Sequence, residues 1–418
     1  NDYLTAVGQI SQNTGVSLVA NGSATLSGGM GSDNLYVVSY TTASLSGGDG
    51  IDYLNAYDSR NVTLHGDADN DSLSANSVRN SNLYGDAGDD TLTGGAGNDT
   101  LYGGAHGTIG DTADFTNESK VVVTLAEGAT ATITAGTNED ILFEIENITG
   151  SNTGDDTIIG DNNSNILKGL GGDDTLNGGA GADKIYGGAG ADKITFTSIT
   201  DSSGDIVDGE ANSDTVDYSA LTDGVIIRLM GSTDSNVQLG TVANNHVIKN
   251  IENVTGTSGK DTIEGDTGNN VLDGLSGNND TISFQNATSS VVANIGTSTK
   301  YTIAASSATG TNIGSDTITN FDDIKGSAYA DTLVGDDNGN TLSGDLSDDI
   351  LYGEGGSDIL IGENVNDTLI GGSGANNLYG DDGFDTVSYT DALSVNMSLR
   401  GIGYGTGTAI YNVAGTLT

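Results

Sequence analysis

The feature that most constrains this chain is a glycine-rich phrase of nine residues that places an aspartate every 19 residues. The phrase reads Gly-Gly-x-Gly-x-Asp-x-Leu-x, and its first clear copy spans residues 28–36. The sixth-position aspartates of the first copies are Asp33, Asp52, Asp71 and Asp90. A leucine series keeps the same spacing at Leu26, Leu45, Leu64 and Leu83. Two apolar positions and one acidic turn per 19 residues predict one coil of an all-β solenoid in which the aspartates stack.

Each residue type of the phrase has a physical role, as the copy at 178–186 illustrates. Its glycines permit positive φ, so the backbone can turn tightly and direct carbonyl oxygens inward. Asp183 adds a hard anionic oxygen, and alternation along the next three residues buries Ile185. Two nonamers make one flattened coil, so equivalent turns lie about 4.8 Å apart. This spacing predicts one cation between successive turns, and oxygen ligands select calcium over zinc or copper.

The phrase occurs in blocks that alternate with β-rich connecting units. We predict β-roll blocks at 1–109, 151–195, 256–283 and 326–388; the first begins with 19-residue coils, and the third is a short echo. We predict connecting units at 110–150, 196–255 and 284–325, and the start of a further unit, cut short, at 389–418. The units close with motifs such as Ile-Glu-Asn-Val-Thr-Gly at 251–256. Their β-branched residues favour strands over helices.

The composition restricts the partners of the chain. Fifty-eight acidic residues against twelve basic ones give a formal net charge of −46. This charge excludes nucleic acid as a natural partner and disfavours an anionic membrane surface. No apolar run reaches membrane-spanning length, so no membrane insertion is expected. High charge with few aromatics is also typical of disorder, but a periodic hydrophobic fraction of 35% favours a fold when divalent cations are present.

The phrases and the connecting units resemble those of the RTX, or haemolysin-type calcium-binding, repeat family of secreted bacterial proteins. The clear matches span about half of the chain. The resemblance implies a right-handed parallel β-roll, in which sixth-position aspartates and turn carbonyls hold calcium. It also implies export through a one-step type I secretion channel and folding outside the cell. We expect roughly ten calcium ions, an extracellular location at the cell surface and no resident cofactor besides calcium.

The resemblance assigns the calcium ligands residue by residue. In the first block they are Asp33, Asp52, Asp71, Asp90 and Asp99. In the second block they are Asp156, Asp174 and Asp192 on one edge and Asp183 on the opposite edge; the echo contributes Asp261. In the last block they are Asp331, Asp349, Asp367 and Asp385 on one edge and Asp358 opposite. Asparagine replaces the aspartate at Asn165, Asn340 and Asn376, which predicts weaker sites there.

Other polar patterns favour structural roles. His65, His106 and His246 are far apart in sequence and lack metal-ligand spacing, so we expect neither zinc binding nor catalysis from them. Outward tyrosines at the ninth position leave two interpretations, adhesive contacts or a cover over the edge of the roll. The chain contains no cysteine, so disulfides and thiol chemistry are excluded. We therefore expect that the chain is not an enzyme.

Two classes of function fit this sequence. The first is a secreted structural protein of the cell surface, part of an S-layer, an extracellular filament or a biofilm adhesin, that self-associates once calcium is bound. The second is a calcium-binding secretion and stability module of an exported protease, lipase or polysaccharide epimerase, whose catalytic domain lies outside this chain. The absence of a recognisable catalytic constellation favours the first class.

The stacked aspartates predict calcium-dependent folding. Without calcium their mutual repulsion opposes the compact state, so calcium binding supplies part of the free energy of folding. We expect a chelator to abolish the β-sheet signal in the far-UV circular dichroism spectrum and added calcium to restore it. A spectrum that is the same with and without the chelator would contradict this prediction.

Overall fold

The computed structural model describes most of the chain. Backbone and side chains are described for residues 22–76, 78–126, 139–197, 204–241, 246–277 and 279–388, and the backbone alone for 2–7, 16–19, 131–135, 138, 245 and 410–412. The chain divides into two units, Asn1–Asp214 and Thr215–Thr418. Within the described residues, the regular secondary structure of both units consists of β-strands.

The strands are short, because a turn follows each run of three to nine residues. Unit 1 contains β1 (Asp2–Val7), β2 (Val16–Val19), β3 (Gly22–Met30), β4 (Asn34–Val38), β5 (Thr42–Asp49), β6 (Tyr53–Tyr57), β7 (Asn61–Ala68), β8 (Ser72–Ser74), β9 (Asn80–Ala87), β10 (Thr91–Thr93), β11 (Thr100–Ala105), β12 (Thr112–Asp114), β13 (Val121–Thr124), β14 (Ala131–Ala135), β15 (Asn138–Phe143), β16 (Asn147–Thr149), β17 (Thr157–Ile159), β18 (Ile166–Gly171), β19 (Thr175–Asn177), β20 (Lys184–Gly190), β21 (Lys193–Thr195) and β22 (Ile206–Asn212). Unit 2 contains β23 (Thr215–Asp217), β24 (Val225–Arg228), β25 (Ser235–Leu239), β26 (Asn245–Lys249), β27 (Asn253–Thr255), β28 (Thr262–Glu264), β29 (Val271–Asp273), β30 (Thr281–Ser283), β31 (Val291–Asn294), β32 (Ser307–Gly310), β33 (Gly314–Thr319), β34 (Asp323–Lys325), β35 (Thr332–Val334), β36 (Thr341–Asp345), β37 (Ile350–Tyr352), β38 (Ile359–Glu363), β39 (Thr368–Ile370), β40 (Asn377–Tyr379), β41 (Thr386–Ser388) and β42 (Ile410–Asn412).

Unit 1 is a solenoid of two parallel sheets that face each other. The chain alternates between the sheets, so each strand from β1 to β10 pairs with the strand two positions later. One sheet stacks β1, β3, β5, β7, β9, β11 and β15 in parallel. The other stacks β2, β4, β6, β8, β10, β12, β16, β18, β20 and β22 in parallel. One coil therefore comprises one strand from each sheet.

The core of unit 1 is a column of leucines that repeats with the coil. In the first sheet the paired residues are Leu26, Leu45, Leu64, Leu83, Leu101 and Leu142, each at most 1% exposed. Their neighbours along each strand point outward, because successive side chains of a strand alternate between its faces. The predicted leucine series therefore lies in the core, and the alternation of leucines with polar residues accounts for the strand positions.

The connecting unit at 110–150 continues the solenoid and adds an antiparallel excursion to one sheet. β12 and β16 take ordinary parallel places between β10 and β18. β13 pairs in parallel with β17, whereas β14 runs antiparallel between β13 and β15. β15 then returns the chain to the parallel edge of β11. In this order a central antiparallel strand separates two strands of the parallel stack. We call the three strands an excursion.

Unit 2 repeats the same architecture with an excursion in each of its two sheets. In one sheet β23, β27, β29 and β33 are parallel. β32 then runs antiparallel between β33 and β31. The parallel stack continues from β31 through β35, β37, β39, β41 and β42. In the other, β26, β25 and β24 form the excursion, followed in parallel by β28, β30, β34, β36, β38 and β40. Buried columns such as Leu333, Leu351 and Leu369 form the core.

The prediction of an all-β solenoid is confirmed: the described strands stack in parallel coils, as in a β-roll. The connecting segments are not separate from the roll, because they supply strands to the same sheets. The block and connector boundaries themselves stay predictions. The predicted unit at 389–418 lies outside the described residues, apart from the backbone of β42.

The buried columns predict that two adjacent residues of β37 differ greatly in how much they stabilise unit 2. Leu351 is fully buried, whereas its neighbour Ile350 is 36% exposed on the outer face. Because a truncated core leucine loses its packing and leaves a cavity, Leu351→Ala should reduce the stability of unit 2 by about 2–5 kcal/mol. Ile350→Ala is the matched control and should cost under about 1 kcal/mol. Urea unfolding in saturating calcium measures both; equal effects would contradict the inward placement of Leu351.

Candidate metal centre

The sixth-position aspartates stack along the edge of unit 1 and bind the backbone of the coil before them. The backbone N–H of Asp33 donates to Oδ1 of Asp52 at 2.6 Å, that of Asp52 to Asp71 at 2.7 Å, and that of Asp71 to Asp90 at 2.7 Å. The N–H of Asp90 continues the series to Oδ1 of Asp111 at 2.8 Å. These five carboxylates are buried. We call such a series an aspartate ladder.

Comparable ladders run along every repeat block. In unit 1 the backbone N–H groups of Asp156, Asp174 and Asp192 each donate to the next carboxylate of their row, at 2.7–2.8 Å. On the opposite edges, Ser81, Asp99 and Asp140 form one row, and Asn165, Asp183 and Asp205 form another. In unit 2 the rows are Asp261, Asp280 and Asp322; Asn270 and Asp316; Asp331, Asp349, Asp367 and Asp385; and Asn340, Asp358 and Asn376.

Most ladder carboxylates use only one of their two oxygens in a hydrogen bond. In the described part of the chain, the second oxygen, Oδ2, is buried and accepts no hydrogen bond at Asp33, Asp52, Asp71, Asp90, Asp99, Asp111, Asp140, Asp174, Asp192, Asp349, Asp358 and Asp367. A buried carboxylate oxygen without a partner costs free energy, because it has lost its water and gained nothing in exchange. A cation near these oxygens would remove that cost.

The first glycine of the phrase makes room for this oxygen. A Cβ atom at Gly47 would lie 2.2 Å from Oδ2 of Asp52 and 2.8 Å from the carbonyl oxygen of Gly66 in the next coil. Both distances are shorter than any real contact of a Cβ atom. The second glycine carries the turn, since Gly48 has a φ of 111° that other residues rarely adopt. The glycines therefore bring carboxylate and carbonyl oxygens together at each coil.

These residues fit calcium as the bound ion. Calcium prefers six to eight oxygen ligands at flexible geometry, and carboxylates and backbone carbonyls are its usual donors. Among the described residues, no group of three or more His, Asp or Glu side chains converges as a metal-binding cluster. Each ion would therefore be held by one or two ladder carboxylates, with the glycine-rich turns supplying most of the remaining oxygens.

Burial raises the pKa of the ladder carboxyls, because a low-dielectric environment disfavours the charged form. The pKa reaches about 8 at Asp71 and Asp349, where the carboxylates above and below in the same row raise it further. The backbone N–H bond to Oδ1 acts in the opposite direction and lowers it. The pKa is about 7 at Asp174 and Asp358 and about 6 at Asp52, Asp90, Asp99 and Asp367. Two positive charges from calcium would reverse this penalty.

All 15 aspartates assigned from the sequence lie in ladder rows, but they are not equivalent. Ten have the buried, unbonded Oδ2 described above. Asp385 is less buried, at the last described coil. Asp156, Asp261 and Asp331 instead use both oxygens in hydrogen bonds. Asp183, the fifteenth, accepts the N–H of Asn165 at 2.8 Å. Calcium coordination by the assigned residues stays a prediction, and the hydrogen bonds set Asp156, Asp261 and Asp331 apart from the ten.

The sequence interpretation missed seven members of the ladder: Asp111, Asp140, Asp205, Asp214, Asp280, Asp316 and Asp322. Each lies in or next to a connecting unit, and none follows the full glycine phrase. The signal that identifies them is shorter, an aspartate two residues before an inward apolar side chain, as in Asp140-Ile141-Leu142. This triplet places the carboxylate two residues before a buried side chain of the strand, which is the spacing that the ladder aspartates share.

The histidine and tyrosines on the outer face of unit 1 form a stack of rings. His65, Tyr84, Tyr102 and Phe143 stack face to face, with centroids 4.5–4.7 Å apart. Nδ1 of His65 lies 2.9 Å from Oδ2 of Asp86. The strand register places these rings above one another, and stacking hides their faces while leaving their edges outward. This geometry supports a covering role for Tyr84 and Tyr102.

Comparison with known families finds the same repeat. A family model described as "RTX calcium-binding nonapeptide repeat (4 copies)" matches residues 78–105, 159–194, 251–281, 320–351, 334–369 and 352–387. The matched segments include ladder residues from both units. No curated protein sequence is detectably similar to the chain. The resemblance that the nonamer phrases indicated is confirmed by this match.

The raised pKa values predict that acid stabilises the calcium-free fold. Between about pH 4 and pH 8 the folded chain holds protons on residues such as Asp71 and Asp349 that the unfolded chain has released. The free energy of unfolding therefore rises as pH falls through this window. The far-UV circular dichroism signal in calcium-depleted buffer at pH 5, 6.5 and 8 measures it, because this signal reports the fraction of folded chain. Asp71→Asn, which cannot titrate, should weaken the dependence, and calcium-free stability that falls toward pH 5 would contradict the prediction.

Proposed function

This chain is built on RTX calcium-binding nonapeptide repeats, and we propose that it is a secreted structural protein of the cell surface that folds and assembles when it binds extracellular calcium. The proposal covers the subunit of an S-layer, an extracellular filament or a biofilm matrix. It assigns no catalytic role to the chain. The observation that carries it is the recurrence of one buried, unbonded carboxylate oxygen, coil after coil, in both units.

That recurrence makes folding conditional on calcium. An isolated carboxylate of this kind would weaken a protein locally, but here the same cost is repeated along each ladder. The carboxylates also repel one another, because each lies one coil from the next. Binding free energy from calcium then becomes folding free energy, as in other proteins whose metal sites do not exist in the unfolded chain.

The calcium concentration that such sites require supports a location outside the cell. Extracellular calcium modules bind at about 10⁻⁴–10⁻³ M, well above the calcium level inside a cell. The formal charge of −46 also opposes compaction until cations arrive. Roughly ten calcium ions would cancel close to half of this charge. We therefore propose that the chain leaves the cell in a loose form and folds outside.

The outer faces support assembly between copies. Because every coil repeats the same shape, a contact that forms at one coil can recur along the solenoid. Apolar side chains are exposed along the coils, on strands at Tyr53 in unit 1 and Ile226 in unit 2, and in turns at Ile51 and Phe384. In the described part of the chain, no helix is long and apolar enough to cross a membrane. Contacts between copies of the chain are the proposed use of the exposed side chains.

Sedimentation velocity tests the proposal directly. The chain is first stripped of calcium, and calcium is then added back through the millimolar range. We expect compaction first, because folding precedes assembly, followed by large and regular species that a chelator dissolves. Magnesium at equal concentration is the control, since its strict octahedral geometry and slow loss of water suit these turns poorly.

The outcomes separate the two classes of function. Compaction to a stable monomer at all calcium concentrations would contradict the assembly role and point to the stability module of an exported enzyme. No change in shape or size would contradict the calcium dependence itself. Equal compaction by magnesium would show that general charge screening, and not coordination by the turns, drives folding.

A further inference from the structure

The first turn of a repeat block differs from the turns that follow it. At Asp331, the backbone N–H of Ser327 donates to Oδ2 at 2.6 Å and the Ser327 hydroxyl donates to Oδ1 at 2.9 Å. The backbone N–H of Val291 also donates to Oδ1, at 2.7 Å. One coil later in the same row, Asp349 accepts only the N–H of Asp331, and its Oδ2 is buried without a hydrogen bond.

The same kind of turn, in which both oxygens of the carboxylate accept hydrogen bonds, begins all three blocks that follow a connecting unit. At Asp156 the donors are Ser151 N–H (2.6 Å), Ser151 Oγ (2.9 Å) and Val121 N–H (2.7 Å). At Asp261 they are Thr257 N–H (2.7 Å), Thr257 Oγ1 (2.8 Å) and Val225 N–H (2.7 Å). In each case a serine or threonine follows a glycine and precedes the aspartate by four residues (Thr257, Ser327) or five (Ser151). Its hydroxyl and N–H occupy the carboxylate that would otherwise face a cation.

The second turn of each block is closed by an asparagine. Nδ2 of Asn340 donates to the backbone carbonyl oxygen of Asp322 at 2.8 Å, and its Oδ1 accepts the N–H of Asp336 at 2.8 Å. Asp322 belongs to the motif that closes the preceding connecting unit. The side chain of Asn340 therefore ties the connecting unit to the first coil of the roll.

Two further asparagines make the same pair of bonds. Asn165 donates to the carbonyl oxygen of Glu146 at 2.7 Å, and Asn270 donates to that of Glu252 at 2.9 Å. Their Oδ1 atoms accept the N–H groups of Asp161 at 2.8 Å and Asp266 at 3.0 Å. The three turns share the pattern Gly-Asp-x-x-x-Asn, which lacks the second glycine of the calcium phrase.

An aspartate could not make these bonds, because the position needs a donor toward a carbonyl and an acceptor toward an N–H. A carboxylate there would place a negative oxygen against the carbonyl oxygen of Asp322. Asn376 shows the contrast: its Nδ2 donates to Gly371 in its own turn at 2.8 Å and does not reach a connecting unit. The three junction asparagines are thus not weakened calcium ligands but hydrogen-bonding clamps.

We infer that the first coil of each block after a connecting unit is a starter coil, closed by its own hydrogen bonds and holding no calcium, and that calcium sites begin at the second coil. The starter coils contain Asp156 with Asn165, Asp261 with Asn270, and Asp331 with Asn340. The inference refines the ligand set of the proposed function and rests on its assignment of residues such as Asp349 to calcium.

Counting bound ions in matched variants of the whole chain tests the starter coil. Asp331→Asn and Asp349→Asn alter neighbouring members of one row. Native mass spectrometry in calcium should show the wild-type number of ions for Asp331→Asn and at least one ion fewer for Asp349→Asn. Because Asp331→Asn loses hydrogen bonds inside the turn, its Tm in saturating calcium should fall by about 2–4 °C.

The two possible failures are distinguishable. Loss of ions in both variants would overturn the starter coil while leaving the proposed function intact. If neither variant loses an ion, the assignment of Asp349 to calcium in the proposed function is contradicted. The difference between Asp331 and Asp349, on which the starter coil rests, is then contradicted as well. Loss in Asp331→Asn alone would overturn the inference as well.

A variant on the opposite edge gives an independent test. If Asn340 were a weakened ligand, Asn340→Asp would add an ion or raise the calcium affinity. We expect neither, together with a lower Tm, because the new carboxylate would face the carbonyl of Asp322. An added ion or tighter calcium binding would overturn the inference. Asp358→Asn, one coil later in the same row, is the control and should lose an ion.

Hydrogen exchange on the wild-type chain avoids variants that fail to fold. During a calcium titration, the amides of residues 326–340 that donate within the starter coil, those of Ser327, Asp336 and Asn338, should become protected at lower calcium than the amides of residues 344–358. Simultaneous protection of the two segments, or earlier protection of the second, would overturn the starter coil. A chain fully protected in chelator would contradict calcium-dependent folding, and therefore the basis of the inference.

Discussion

The structure depends on the hydrogen bond from a backbone N–H to the aspartate of the next coil. At the turn, the N–H of Asp52 has left one strand and would be buried without a partner, and Oδ1 of Asp71 satisfies it at 2.7 Å. The bond fixes the distance between coils and commits a carboxylate to the interior. The other oxygen of that carboxylate is then buried as well. Backbone geometry and metal requirement are thus two consequences of one bond.

Local rules account for the parts of the fold that the sequence predicted. The leucine column from Leu26 to Leu83 follows from strand alternation combined with a fixed coil length, so spacing alone identifies it. The row from Asp33 to Asp90 was predictable for the same reason. The turns were predictable because the glycines at their start are required both by positive φ, as at Gly48, and by contact with the aspartate, as at Gly47.

What the sequence did not reveal depends on contacts between distant segments. Asp140 and Asp316 join the ladder although no glycine phrase precedes them, because the ladder needs only a carboxylate two residues before an inward apolar side chain. Asn340 looked like a defective aspartate, since the carbonyl of Asp322 that explains it lies 18 residues earlier and across a coil. The excursions were equally hidden, because propensity identifies β14 as a strand but not its place between β13 and β15.

The excursions solve a problem that identical coils create. In a run of nonamers, sliding the chain by two nonamers brings leucine over leucine and carboxylate over N–H again, so several alignments have nearly the same energy. The excursions of β13–β15, β24–β26 and β31–β33 differ from one another in sequence and in loop length. Each pairs with particular strands of the stack, so a slipped alignment would separate an excursion from those neighbours. The irregular segments therefore fix the alignment of the coils, which the identical nonamers cannot fix by themselves.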